Sequence, residues 1–91
     1  MRLLWTPEAV ARLGDIQDYI RQHNPTAAQA IVDRLLRAAA GLADFPGMGR
    51  PSGIEDVREL VVTRTPFILR YTVIDETVFV VTVLHGARDR G

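Results

Sequence analysis

The apolar positions of this chain change period once, from helical spacing to alternation, and the change falls at a run of prolines and glycines. Arg2 to Trp5 reads as a short strand. Thr6 then fits an N-cap, with Pro7 at the first helical position, where its missing N–H costs nothing. Ala9, Leu13, Ile16 and Ile20 follow at helical spacing, one stripe on a helix that should end near Gln22. Glu8, one turn before Arg12, makes a favourable exposed pair. Asn24-Pro25 repeats the cap-and-proline signal. Ala28, Ile31, Val32, Leu35, Leu36, Ala39 and Leu42 then form a broad apolar face, while Asp33 and Arg37 face water. So short a connection predicts an antiparallel αα-hairpin. Gly41 either ends the second helix early or weakens it.

Phe45-Pro46-Gly47-Met48-Gly49-Arg50-Pro51-Ser52-Gly53 reads as the loop that swings the chain from helices to sheet. Beyond it, Val57–Val62, Phe67–Ile74 and Thr77–Leu84 are strands, the last two rich in β-branched and aromatic residues. Asp75-Glu76 joins those two as a hairpin turn, without the glycine such turns favour. Strict alternation puts Phe67, Leu69, Tyr71, Val73, Val78, Val80 and Leu84 on one face, with Thr82. The other face carries Ile68, Thr72, Ile74, Phe79, Val81 and Val83, with Arg70. Both are apolar enough to need cover, and two helices cover only one, so a docking surface for another protein is expected. The fold class is therefore α+β: a short N-terminal strand, an αα-hairpin and a three-stranded antiparallel sheet.

With 91 residues, the expectation is a single domain over 1–91. A domain this small hides roughly 60–65% of its unfolded surface, so a partner covering more apolar area would help it. Eleven basic and eleven acidic side chains balance, which argues against direct nucleic-acid binding, since phosphate contacts call for a basic excess. All eleven basic residues are arginine. A coding bias accounts for this; so does the suitability of a planar guanidinium for carboxylate or phosphate. Without cysteine there is no thiolate site, and His23 and His85 stand in no metal-ligand spacing, so neither metal nor cofactor is expected. The N-terminal apolar run is too short for a signal peptide or membrane span, which makes the cytoplasm the default location.

Candidate chemistry gathers at the end, in Leu84-His85-Gly86-Ala87-Arg88-Asp89-Arg90-Gly91. Histidine exchanges protons near neutral pH, and arginine holds phosphate. If the sheet presented Arg50, Arg58 and Arg70 beside His85, the set would suffice for metal-independent ribonuclease chemistry. In the plainer reading, His85 caps a strand, Gly86 turns the chain, and Arg88 and Asp89 are a solvated pair. Ser52, the only serine, lacks a nucleophile context.

Several marks along the chain resemble one family. They are Trp5 and Ala9 with Asp18-Tyr19-Ile20, Asn24-Pro25 with Ala27-Ala28, Phe45-Pro46 with Gly49-Arg50-Pro51, and Arg58-Glu59-Leu60. Pro66-Phe67-Ile68 with Tyr71, and His85-Gly86-Ala87-Arg88-Asp89, complete the series. In this order the chain resembles the RelE/ParE superfamily of type II toxin–antitoxin toxins, its ending leaning toward ParE. The resemblance implies a toxin that poisons DNA gyrase by protein contact, with His85 and Arg88 as target-contact residues. It also implies a hetero-oligomer with a cognate antitoxin that joins a ribbon-helix-helix part to a wrapping helical tail. Antitoxin-binding candidates are Ile68, Arg70, Phe79 and Val81. The RelE-like alternative is a ribosome-dependent mRNA endoribonuclease, with His85 as acid or base and Arg50, Arg58 and Arg70 on phosphate. No aromatic residue follows Arg88 and lysine is missing, both of which weaken it. A third implication is a non-toxic binding partner in an autoregulatory repressor complex.

Overall fold

The computed structural model describes residues 1–89. Strand β1 (Arg2–Trp5) leads into α1 (Pro7–His23) and α2 (Pro25–Asp44), followed by β2 (Arg50–Pro51), β3 (Arg58–Val61), β4 (Phe67–Ile74) and β5 (Thr77–His85). The helix boundaries follow the caps. Thr6 Oγ1 accepts from the Ala9 N–H at 3.1 Å, and Asn24 Oδ1 accepts from the Ala27 N–H at 3.1 Å. Asn24 also ends α1, its N–H donating to the Ile20 carbonyl at 2.7 Å, so one residue joins the two helices. Gly41 does not stop α2, which runs on to Asp44.

The sheet is larger than three strands, in the order β1-β5-β4-β3-β2. β1 lies parallel to β5, with Leu3 beside Val78 and Trp5 beside Val80. The Pro/Gly loop contributes a two-residue edge strand, Arg50 pairing with Glu59. The strand at Arg2–Trp5 was expected, but its place beside β5 and the two-residue β2 were not, because periodicity shows neither which neighbour a strand selects nor a strand of two residues.

The hairpin register corrects the face assignment. Ile74 pairs with Thr77, so Asp75 and Glu76 are the two-residue turn, both at positive φ, 50° and 58°. From there Tyr71 pairs with Val80, but Arg70 pairs with Thr82, leaving Val81 as the extra residue of a β-bulge. One extra residue reverses which side every later side chain faces. Val83 therefore belongs to the helix-covered core, fully buried with Leu69, Phe67, Leu35, Ala39 and Ala9. Leu84 and Thr82, expected on that side, pair with Ile68 and Arg70 on the opposite one. The bulge is held from outside the hairpin: the Thr6 hydroxyl donates to the Val81 carbonyl at 2.7 Å, and the Thr6 N–H to the Val80 carbonyl at 3.0 Å.

Of the α2 stripe, Ala28, Val32, Leu35, Ala39 and Leu42 are buried, Ile31 is half-buried and Leu36 is exposed. On α1 only Ala9 is fully buried; Leu13, Ile16 and Ile20 are half-covered. A second core cluster joins Leu42, Tyr71 and Val78. The Tyr71 hydroxyl donates to the Pro46 carbonyl at 2.6 Å and accepts from the Gly49 N–H at 2.9 Å, tying the Pro/Gly loop to the sheet. A Cβ on Gly49 would lie 2.6 Å from that hydroxyl, so only glycine fits there.

Asp75 and Glu76 sit in a turn geometry that L side chains adopt at a cost of ~1 kcal/mol or more each. Replacing Glu76 by glycine should stabilise the domain by about 1 kcal/mol and raise its Tm by roughly 4–8 °C. Thermal unfolding followed by circular dichroism checks this, and a lower Tm would contradict the turn geometry.

Candidate functional site

The four residues of the ribonuclease reading do not converge. Arg50, Glu59, Arg70 and Thr82 are successive cross-strand partners, so they form one row on the sheet face away from the helices. Arg58 and His85 belong to the other face, Arg58 pairing with Tyr71 and His85 with Phe67. Arg58 is engaged with backbone, donating to the Gly49 carbonyl at 2.7 Å. Arg70 is tied to Glu59: its Nη2 and Nε donate to Glu59 Oε2 at 2.7 and 3.1 Å. The Glu59 side chain is 0% exposed, against 26% for Arg70. An ionised carboxylate so buried demands a cation, so Arg70 stands where the fold needs one.

His85 and Arg88 do meet. Both line a cleft of about 660 Å³ between the C-terminal half of α1 and the end of β5. Ile16, Ile20, Ile31 and Phe67 supply its apolar wall, and Arg12, Asp15 and Tyr19 its polar rim. The gap explains why the α1 stripe is only half covered. The bulge brings His85 here, its ring edge-on to Phe67 with centroids 5.6 Å apart.

A small knot holds the turn after β5. The Gly86 N–H donates to the Pro66 carbonyl at 2.8 Å. His85 Nδ1 accepts from the N–H groups of Ala87 and Arg88, both at 3.3 Å. In the neutral ring that leaves the proton on Nε2. Asp89 closes the knot, accepting from the His85 N–H at 2.7 Å and from Arg12 Nη2 at 2.6 Å. Arg12 Nε donates to the Val83 carbonyl at 2.9 Å. Arg12 thus turns to Asp89 and not to Glu8, and Asp89 pairs with Arg12 and not with Arg88. The His85 N–H is the main cause that holds the Asp89 carboxyl below the usual carboxylate range; desolvation opposes it, and the hydrogen bond and charge of Arg12 and the charge of Arg88 lower it further. Among the described residues, no group of His, Asp or Glu could hold a metal ion, and no helix is long and apolar enough to cross a membrane.

Residues 3–90 match the ParE toxin of type II toxin–antitoxin systems, parDE. The chain belongs to the ParE toxin family. The putative toxin Y4kP of Sinorhizobium fredii is 40% identical over 85 residues, covering 93% of this chain and 88% of the relative. Toxin RelE2 of Caulobacter vibrioides is 44% identical over 87 residues, covering 96% and 97%. Among solved structures, the chromosomal ParDE toxin–antitoxin system from P. aeruginosa matches at a TM-score of 0.85 and 28% identity, over 93% of this chain and 95% of that one. This is the toxin member of a two-component system whose other member is an antitoxin.

In this ParE-family chain, His85 and Arg88, singled out from the sequence as candidates, share their cleft with Arg12, Asp15 and Tyr19, which were not. Tyr19 was noted only as a mark of the family, and Asp15 carried no signal beyond being a polar position on α1. Arg12 was hidden by a plausible local partner, Glu8.

Replacing Arg70 by alanine should destabilise the protein by about 2–3 kcal/mol, less than for a fully buried pair because Arg70 keeps some water contact. Urea unfolding measures this; unchanged stability would return Arg70 to the pool of free cations. Asp89, its pKa lowered by folding, contributes ordering of the C-terminal turn that is fully present above the usual carboxylate range. That ordering should be lost as pH falls through the lowered value. The His85 amide resonance should report the transition, and Asp89→Asn should remove it.

Proposed function

We propose that this chain is a gyrase-directed toxin acting by protein–protein contact in the cytoplasm, working as one domain over 1–91 and neutralised by its antitoxin. The observation that carries this reading is the split of the arginines. Arg50 and Arg70 lie on one sheet face, Arg58 and His85 on the other, and Arg70 and Arg58 are engaged within the fold. That leaves His85 and Arg88 beside an open, largely apolar cleft, a surface suited to gripping a protein.

For the antitoxin, the helix-free sheet face supports part of the expected set. Phe79 is half-buried there opposite Leu4 and Thr72, whereas Ile68 is already buried and Arg70 is held by Glu59. Phe79, with Val81 at the bulge, is the contact we retain. The partner would join a ribbon-helix-helix DNA-binding part to a helical tail.

A second reading, an mRNA endoribonuclease, is favoured by one observation, the RelE name of the 44% identical Caulobacter relative. One pair of assays separates the two. Purified protein, added at micromolar concentration to gyrase and relaxed plasmid, should block supercoiling, and His85→Ala with Arg88→Ala should weaken that block by about 10-fold or more. If gyrase is untouched while ribosome-bound message is cut, and His85→Ala slows cutting by roughly 10²–10⁴, the ribonuclease reading replaces it. Activity in neither assay would leave a non-toxic partner in a repressor complex.

A further inference from the structure

The edge of β3 is only half covered. Val62 donates its N–H to the Phe67 carbonyl at 3.0 Å, so Val62 and, two residues back, Leu60 form the hydrogen-bonded pairs with β4. Alternation then turns the N–H and C=O of Glu59 and Val61 to the opposite edge. Glu59 meets Arg50 of β2 there, but β2 ends at Pro51 in one direction and begins at Arg50 in the other, so among the described residues no strand runs beside Val61. Val61 is 48% exposed. Alongside this edge runs a groove of about 360 Å³ whose apolar lining includes Met48, Leu60 and Ala38. Arg34 and Arg37, one turn apart on α2, stand in it, and neither makes an ion pair among the described residues.

We propose that the free edge of β3 at Val61 receives an extended acidic segment of the antitoxin, which adds a strand to the sheet and places carboxylates on Arg34 and Arg37. The geometry sets its pattern. The residue paired with Val61 shares the helix-free face, so the residues on either side of it point into the groove. Main-chain bonds to Val61 supply pairing, apolar lining supplies burial, and the two unpaired guanidiniums select negative charge. A strand of alternating character, with Asp or Glu two residues apart on its groove side, fits. An edge carrying unpaired backbone groups beside an apolar groove is also one a free protein must protect from wrong partners, and a cognate strand does that.

This inference rests on the antitoxin partnership and not on the gyrase target, so failure of the gyrase assay leaves it standing. The test uses the protein alone and in complex with its antitoxin. In the complex, hydrogen exchange at the Val61 amide should slow by about 10- to 100-fold, and exchange at Val61 unchanged by the antitoxin would overturn the proposal. Arg34→Glu combined with Arg37→Glu should weaken antitoxin binding by about 10- to 100-fold and flatten its salt dependence. Arg21→Glu, on α1, serves as the matched surface control, and an unchanged Tm shows that the double variant still folds. Equal loss of affinity in the control would overturn the assignment of charge to this groove. So would a double variant that kept the antitoxin and instead lost affinity for a single-stranded RNA oligonucleotide, which would make the pair a nucleic-acid contact.

Discussion

Everything around the candidate site depends on one extra residue in β5. Were β4 and β5 paired without a bulge, Leu84 would face the helices and His85 would lie on the opposite side. Val81 interrupts the ladder, and Val83 enters the core while His85 turns toward the cleft beside α1. An unpaired bulge carbonyl needs a donor, and the Thr6 hydroxyl supplies it while its oxygen caps α1. The start of the first helix, the join of β1 to β5 and the facing of the last strand are therefore one structural decision. Removing the hydroxyl would disturb all three together.

Charge in this protein is arranged by the same alternation. A sequence rich in arginine and balanced in net charge leaves open how many cations face a partner. Cross-strand pairing consumes Arg70 against a buried carboxylate, and the turn after β5 consumes Arg12 against Asp89. Arg58 is absorbed by a loop carbonyl. The guanidiniums that remain toward solvent, including Arg88 at the cleft and Arg34 and Arg37 at the groove, are spread over separate surfaces. Dispersed cations beside apolar walls suit protein partners better than they suit a phosphate chain, which asks for charge in a continuous track.

Surplus apolar surface is the other general property. The helix hairpin covers one sheet face, and even there α1 stands away from the end of β5, leaving Ile16 and Ile20 half-covered. Leu4, Ile74 and Val61 on the uncovered face remain substantially exposed. A domain of this size has too little volume to bury all of its apolar area, and a member of a two-component system can leave that cover to its partner.

By itself the sequence determined the helices, their caps and single-residue connection, the three main strands and the family. These follow from local rules: a cap before proline, an apolar repeat at helical spacing, alternation between turn signals. It also marked His85 and Arg88, because a histidine and an arginine closing an apolar strand stand out. Only the tertiary structure decided which strand β1 would join, where the bulge would fall, and hence which face His85 would take. It alone paired Arg12 with Asp89 across the chain in place of the nearby Glu8, and Arg70 with Glu59. A bulge is chosen by contacts from distant residues, here Thr6, and one shifted position reverses every side chain beyond it. No local pattern carries that information, because the donor that makes the bulge stable lies at the other end of the chain.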